Sequence, residues 1–149
     1  MEPLIIIVAL IFSIVLHEVS HGYVANWLGD PTAKLSGRLS GNPLAHIDPL
    51  GSVVIPGLLL LGGTGFLFGW AKPVPYNPYN LRNQKWGDAL VSAAGPAVNI
   101  LLALIFAALI HLSGILGLPE SFVKIAAYIV YLNVLQLSLI HISEPTRPY

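Results

Sequence analysis

A glutamate and two histidines occur together in the sequence His17-Glu18-Val19-Ser20-His21, and their types and spacing suit metal-dependent hydrolysis. On an α-helix, residues four positions apart differ by ~40° in direction and ~6 Å in height, so both imidazoles can approach one metal ion from the same face. A carboxylate next to the first histidine can take a proton from a water molecule that the metal activates. The pattern therefore predicts one Zn2+ ion bound by His17 and His21, with Glu18 as the catalytic base.

The surroundings of these residues argue against a coincidental match. They lie in an apolar run from Leu4 to Leu28, which as a helix covers roughly 37 Å and can span a bilayer. Each ionisable side chain in such a helix costs ~2.5–3.5 kcal/mol at mid-bilayer, a cost that metal coordination offsets. A cleaved signal peptide is the alternative. It is disfavoured because the leading end carries acidic Glu2 and no small-x-small cleavage site follows the run.

Composition supports a membrane protein and excludes several kinds of site. Apolar residues make up 55% of the 149 residues and charged residues 9%, whereas a soluble domain carries roughly 25% charged residues. The formal net charge of zero gives no indication of a nucleic-acid partner. Because the chain has no cysteine, a zinc site must be built from His, Asp and Glu. We therefore expect a multi-pass integral protein of the cell membrane, in contact with the lipid bilayer.

Three further apolar runs predict an all-α membrane protein, a helical bundle of about four membrane segments. The second run, Leu50 to Trp70, contains Pro and Gly breaks, so it either spans the bilayer or dips in and returns. The third, Ala89 to Leu112, has Asp88 as a possible N-cap. The fourth extends from Phe122 to about Leu135. The rough alternation of residues 33–39 indicates a short strand.

A catalytic zinc ion usually has three protein ligands and a water molecule, and the first apolar run supplies two. By chemistry alone, His46, Asp48 or Asp88 could be the third. Each has a simpler role as well: polarity of a loop, formation of a turn, or capping of a helix.

The sequence Ala94-Gly95-Pro96-Ala97-Val98-Asn99 is the second unusual feature. Pro96 removes a helical hydrogen bond, and Gly95 permits close approach of a neighbouring backbone. Asn99 brings an amide into the apolar layer, where it needs a partner. The simpler interpretation is a kinked helix packed through small residues, with Asn99 bonded to a neighbouring helix.

Together these motifs resemble the site-2 protease family, the peptidase M50 intramembrane metalloproteases, in its short bacterial and archaeal branch. The resemblance covers about residues 4–136 and includes the stretches 28–33, 42–49 and 68–75. It implies zinc-dependent cleavage of a membrane-spanning protein substrate, with zinc on His17 and His21 and water activated by Glu18. It also implies that Gly95, Pro96 and Asn99 lie near the active site, where Asn99 would orient substrate or support an oxyanion. Strand-like segments at 33–39 and 71–75 would present an unwound substrate by β-addition.

One part of the family pattern is missing from this sequence. The family supplies its third ligand as an aspartate in a Leu-Asp-Gly motif, and no Leu-Asp-Gly occurs here. The stretch that begins at Asn133 looks like the approach to that motif. We expect residues 1–136 to form the family's membrane domain, incomplete at its C-terminal end, and residues 137–149 to be a non-native tail.

Three functions fit these observations. The first is an intramembrane zinc metalloendopeptidase. The second is a catalytically incomplete relative that binds transmembrane partners without cleaving them. The third is a metal transporter, which the ordered His-Glu-x-x-His spacing disfavours. A homo-oligomer is left open.

Overall fold

The computed structural model describes residues 2–46, 48–63 and 72–143, and within these ranges the regular structure is entirely helical. No strand occurs in these ranges, so the predicted all-α class is confirmed. The α-helices are α1 (Glu2–Trp27), α2 (Thr32–Leu35), α3 (Ile55–Leu61), α4 (Gly87–His111), α5 (Ser113–Leu116) and α6 (Glu120–Ser143). Short 3-10 turns occupy Pro43–His46 and Pro78–Asn80, and a π-helical turn occupies Pro49–Val54.

Three of the described helices are long and apolar enough to cross a membrane, over Ile5–Trp27, Gly87–His111 and Glu120–Ser138. They pack on one another as a bundle in which α4 contacts both α1 and α6. The His21 ring lies against Val91, near the start of α4, while Asn133 on α6 bonds back to Ser13 on α1. Helix α1 is therefore antiparallel to α4. It is parallel to α6, because Ile5 near the start of α1 lines one cavity with Glu120 and Lys124 at the start of α6.

The expectation of about four membrane segments is wrong for the described residues, because the second apolar run forms no long helix there. It begins as the π-helical turn, continues as α3, and α3 ends before Gly63, whose φ is +63°. Seven residues of α-helix reach only ~10 Å. The backbone N–H of Lys72 donates to the carbonyl of His46 at 2.9 Å, so the two flanks of the run lie side by side. Residues 64–70 of the run lie outside the described residues.

Both predicted strand-like segments are wrong where the structure describes them. At 33–39, the Asp30 carboxylate accepts the Thr32 N–H at 3.1 Å, which starts the helical turn α2 instead of a strand. Gly37, with φ of +68°, follows that turn. We call residues 72–77 the proline loop. Pro73 and Pro75 have no N–H to give to a ladder, so the single bond from Lys72 to His46 is not extended into a sheet. Residue 71 lies outside the described residues.

The loops at the end of α1 are tied together by one buried carboxylate. Asp30 is fully buried and accepts the Thr32 hydroxyl at 2.5 Å, the Asn77 N–H at 2.6 Å and the Asn80 side-chain amide at 3.0 Å. Burial raises the pKa of Asp30, but these hydrogen bonds together outweigh it, so the net pKa lies below the ordinary 3.8. Asp30 thereby fixes the proline loop to the end of α1.

Candidate metal centre

The two imidazoles of α1 face a glycine of α4. Their ring centroids are 4.9 Å apart and their planes meet at 79°. A Cβ atom placed on Gly95 would collide with Nε2 of His17 and with Nε2 of His21. Both Nε2 atoms therefore border one space, and that space stays open only because residue 95 has no side chain.

The orientation of the His21 ring is fixed by α4. Its Nδ1 atom lies 2.7 Å from the backbone carbonyl oxygen of Val91. A carbonyl can only accept a hydrogen bond, so Nδ1 carries the proton and donates it. The lone pair of the ring is then on Nε2, which points to the space at Gly95. This is the tautomer that a metal-ligating histidine requires.

His17 is held differently. Its Nδ1 atom is buried and makes no hydrogen bond of good geometry within the described residues. The side chain of Asn99 and the backbone of Gly95 nevertheless interact with the ring. Both lie on α4, so this helix contacts the two histidines at successive turns.

Glu18 lies beside the pair and under the proline loop. The backbone N–H of Val74 donates to one carboxylate oxygen of Glu18 at 3.2 Å. Gly22, one helical turn further along α1, permits this approach. A Cβ atom there would come within 2.8 Å of Val74 Cγ1 and 2.7 Å of Leu39 Cδ2. The proline loop and the loop containing Leu39 therefore both sit on α1 directly beyond Glu18.

The donor set suits zinc, because two imidazole nitrogens share one open space, and the residue that follows His17 in the helix is a glutamate. Within residues 2–46, 48–63 and 72–143, however, no group of three His, Cys, Asp or Glu side chains is arranged to hold a metal ion. The three residues considered as a third ligand are engaged elsewhere. His46 Nε2 lies 2.9 Å from the Ser40 carbonyl oxygen, and Asp48 accepts two backbone N–H groups of the following turn.

Asp88 accepts the Tyr76 hydroxyl at 2.6 Å. Its expected role as the N-cap of α4 is wrong. That helix begins at Gly87 with Trp86 in the N-cap position, and Asp88 lies inside the first turn.

The amides of the other two long helices bond to neighbouring helices. Asn99 is fully buried and its Nδ2 donates to Oε1 of Gln136 on α6 at 2.9 Å, as the simpler interpretation of this residue predicted. Asn133, also fully buried, donates to Ser13 Oγ at 3.0 Å and to the Ile129 carbonyl at 2.8 Å. Pro96 lies within α4, next to Gly95, and the helix continues through it.

Sequence reasoning missed several residues that the structure brings to this region. The carbonyl of Val91 and the N–H of Val74 act through the backbone, so their residue types gave no signal. Ser13 and Gly22 did carry a signal, since each stands four residues along the helix from a member of the His-Glu-x-x-His motif. They lie one turn before His17 and one turn after Glu18.

Comparisons with known proteins identify the family of the chain. The profile of peptidase family M50 matches residues 5–145. "Putative zinc metalloprotease YwhC" of Bacillus subtilis is 43% identical over 100 residues, which cover 67% of this chain and 42% of that protein. "Putative zinc metalloprotease Rip2" of Mycolicibacterium smegmatis is 32% identical over 120 residues, which cover 80% of this chain and 41% of that protein. No solved structure matches the chain.

The chain thus spans about two fifths of the length of each of these curated relatives. The family profile, in contrast, covers almost all of this chain, from the first membrane helix to the end of the third. On that match, and with the histidine pair facing α4, the chain belongs to peptidase family M50.

Proposed function

We propose that the chain forms the zinc-binding and proton-transfer part of an intramembrane metalloendopeptidase that cleaves membrane-spanning protein substrates. The observation that carries this proposal is the convergence of two imidazole nitrogens on the open space at Gly95. Glu18 follows His17 directly in the same helix, and the N–H of Val74 holds its carboxylate. The names of the two relatives, both zinc metalloproteases, support the choice of metal and of reaction class.

The depth of the histidines favours a substrate within the membrane. Counting ~1.5 Å per residue from Trp27, the end of the apolar span, His21 and His17 lie roughly 9 and 15 Å along the helix. A peptide bond must reach that depth to be cut, so the substrate would be a transmembrane segment that unwinds locally. A site at this depth is surrounded by the lipid bilayer.

Bound zinc would supply Lewis acidity, polarising the scissile carbonyl and lowering the pKa of a water molecule to ~7. Glu18 would accept a proton from the attacking water on the carboxylate oxygen that Val74 leaves free. The same oxygen would then give the proton to the leaving amine. Val74, by bonding to the other oxygen, holds the carboxylate in one orientation through both transfers.

The distribution of charge supports one membrane orientation. The region between α1 and α4 holds most of the basic residues: Lys34, Arg38, Lys72, Arg82 and Lys85. The opposite end of the bundle, where α6 begins, carries Lys124 paired with Glu120. Because α1 and α4 are antiparallel and the flanks of the second run meet, all five basic residues belong to one face. The positive-inside rule assigns that face to the cytoplasm.

Zinc content and substrate cleavage test the proposal together. We expect the detergent-solubilised protein to bind one zinc ion per chain, and His17→Ala or His21→Ala to abolish that binding. His111→Ala is the matched control, because this exposed histidine lies at the far end of α4 and should leave zinc content unchanged. Glu18→Gln should retain zinc but stop cleavage of a membrane-spanning reporter.

Three other results would contradict the proposal. A folded protein without zinc would remove the metal centre. Zinc binding without any cleavage would support a relative that binds transmembrane partners without cutting them. Zinc flux across proteoliposomes that depends on His17 would support a transporter.

A further inference from the structure

The two histidines of the metal centre differ in what holds their second ring nitrogen. His21 Nδ1 has a backbone carbonyl at 2.7 Å, whereas His17 Nδ1 is buried without a well-formed hydrogen bond among the described residues. A buried polar atom without a partner costs ~1–3 kcal/mol, so its nearest polar neighbour matters. On α4, the side chain of Asn99 and the backbone of Gly95 both interact with the His17 ring, and of the two only Asn99 has a polar side chain.

Asn99 has the complementary deficit. Its side chain is fully buried, its Nδ2 donates to Gln136 Oε1 at 2.9 Å, and its Oδ1 has no hydrogen-bond partner in the described part of the chain. An amide oxygen accepts and a neutral imidazole N–H donates. The unsatisfied acceptor of Asn99 therefore matches the donor that His17 needs at Nδ1.

The Asn99–Gln136 pair has two possible orientations, and they select opposite forms of His17. In the first orientation, Nδ2 of Asn99 is occupied by Gln136 and Oδ1 is the atom left to accept from the imidazole, so Nδ1 of His17 carries the proton and Nε2 has the free lone pair. If both amides were flipped, Nδ2 of Asn99 would face the imidazole, Nδ1 would accept, and the proton would sit on Nε2. Only the first orientation leaves His17 able to ligate a metal at Gly95.

We propose that Asn99 is a positioning residue that accepts the Nδ1 proton of His17, and that Gln136 on α6 holds its amide in the orientation this requires. Helix α4 then gives each histidine one acceptor, the Val91 carbonyl for His21 and the Asn99 side chain for His17. The inference rests on the proposed metal centre, and it gives Asn99 a role different from orienting substrate or supporting an oxyanion.

The tautomer of His17 in zinc-free protein provides the direct test, since it needs neither metal nor activity. With 15N-histidine labelling, two-bond proton–nitrogen spectra distinguish a protonated Nδ1 from a protonated Nε2, and His17→Gln assigns the signal. We expect Nδ1 to be protonated in the wild-type protein. We expect Asn99→Leu to shift His17 toward the Nε2-protonated form and to weaken zinc binding about 10–100-fold, the usual effect of losing such a partner.

Two further variants separate positioning from simple structural support. Gln136→Glu keeps an acceptor for Asn99 Nδ2, so the wild-type tautomer should persist, whereas Gln136→Leu should relax it even if Asn99→Leu fails to fold. Asn133→Leu is the matched control, because it removes another fully buried amide that bonds to Ser13 instead of a histidine. It should lower the melting temperature and leave the His17 tautomer unchanged.

Two outcomes would overturn this role for Asn99. One is a wild-type His17 protonated on Nε2. The other is a folded Asn99→Leu protein with unchanged tautomer and zinc affinity. Neither outcome resembles failure of the metal centre itself, in which zinc would not bind to the wild-type protein at all.

Discussion

Replacing Gly95 by alanine should remove zinc binding without altering any ligand. Atoms in real proteins essentially never approach a Cβ closer than 3.0 Å, yet a Cβ on Gly95 would lie 2.5 Å from His17 Cε1 and closer still to both Nε2 atoms. The rings must therefore move by about half an ångström or more. Zinc–nitrogen distances are held to within ~0.2 Å of ~2.0–2.1 Å, so a movement of that size breaks the shared geometry.

The fold itself should survive the change. Alanine is favoured over glycine in a helix interior by roughly 0.5–1 kcal/mol, which offsets part of an overpacking cost of about 1–3 kcal/mol. We therefore expect zinc-free Gly95→Ala to unfold within about 2 kcal/mol of the wild-type protein. Its zinc affinity, in contrast, should fall at least 100-fold, or about 2.8 kcal/mol at ~1.4 kcal/mol per tenfold change.

Competitive zinc titration in detergent, with thermal unfolding at fixed zinc concentrations, measures both quantities. Gly114→Ala is the control, because it changes a helical glycine whose added Cβ would meet nothing within 4 Å. It should leave zinc affinity unchanged. Wild-type zinc affinity in Gly95→Ala would refute the placement of the metal between the two Nε2 atoms and α4.

Three other predictions concern the proline loop, the buried Asp30 carboxylate and the orientation of the chain in the membrane. Gly22→Val should push the proline loop away from Glu18, lowering the cleavage rate while zinc content is retained; unchanged cleavage would show that the contact is dispensable. The lowered pKa of Asp30 means that the unfolded state binds more protons, so its contribution to stability is complete above about pH 4 and is lost as the pH falls below that value. Asp30→Asn should cost about 1.5–3 kcal/mol at neutral pH and abolish this acid dependence, as measured by unfolding of zinc-free protein; an unchanged acid midpoint would contradict the assignment. Because the chain has no native cysteine, Ser36→Cys should react with an impermeant thiol reagent only from the cytoplasmic side and Ser121→Cys only from outside, and the reverse pattern would invert the proposed orientation.

Two of the three long helices could be predicted closely because hydropathy determines their bounds, whereas α6 continues to Ser143, beyond the end predicted at about Leu135. The runs Leu4 to Leu28 and Ala89 to Leu112 differ from α1 and α4 by only one or two residues at each end. The second run could not be resolved in the same way. The hydrogen bond between Lys72 and His46, which shows that the flanks of this run lie side by side, is one that no local pattern reveals.

Side-chain chemistry was predictable in kind but not in partner. The i, i+4 spacing places both histidines on one face of α1, but only the packing of α4 shows that this face meets Gly95. The need of Asn99 for a partner followed from burial of an amide, while the identity of Gln136 depended on how α6 is rotated. At residues 33–39, the alternation was overridden by the Asp30–Thr32 hydrogen bond, a local contact that competes directly with extended structure.

Helix α1 carries three ionisable residues into the membrane, and α4 and the loops provide a contact for each of them. His21 meets a carbonyl, His17 meets Asn99, and Glu18 meets the N–H of Val74. At ~2.5–3.5 kcal/mol each, these side chains would be expensive on a helix exposed to lipid on all sides. The cost of the two histidines is reduced only when α4 is docked, so pairing of the histidines and packing of α1 on α4 are the same event. Zinc bound between these helices would then stabilise the bundle by an amount that rises with the logarithm of its affinity, so measurements of zinc affinity and of unfolding test the same contact.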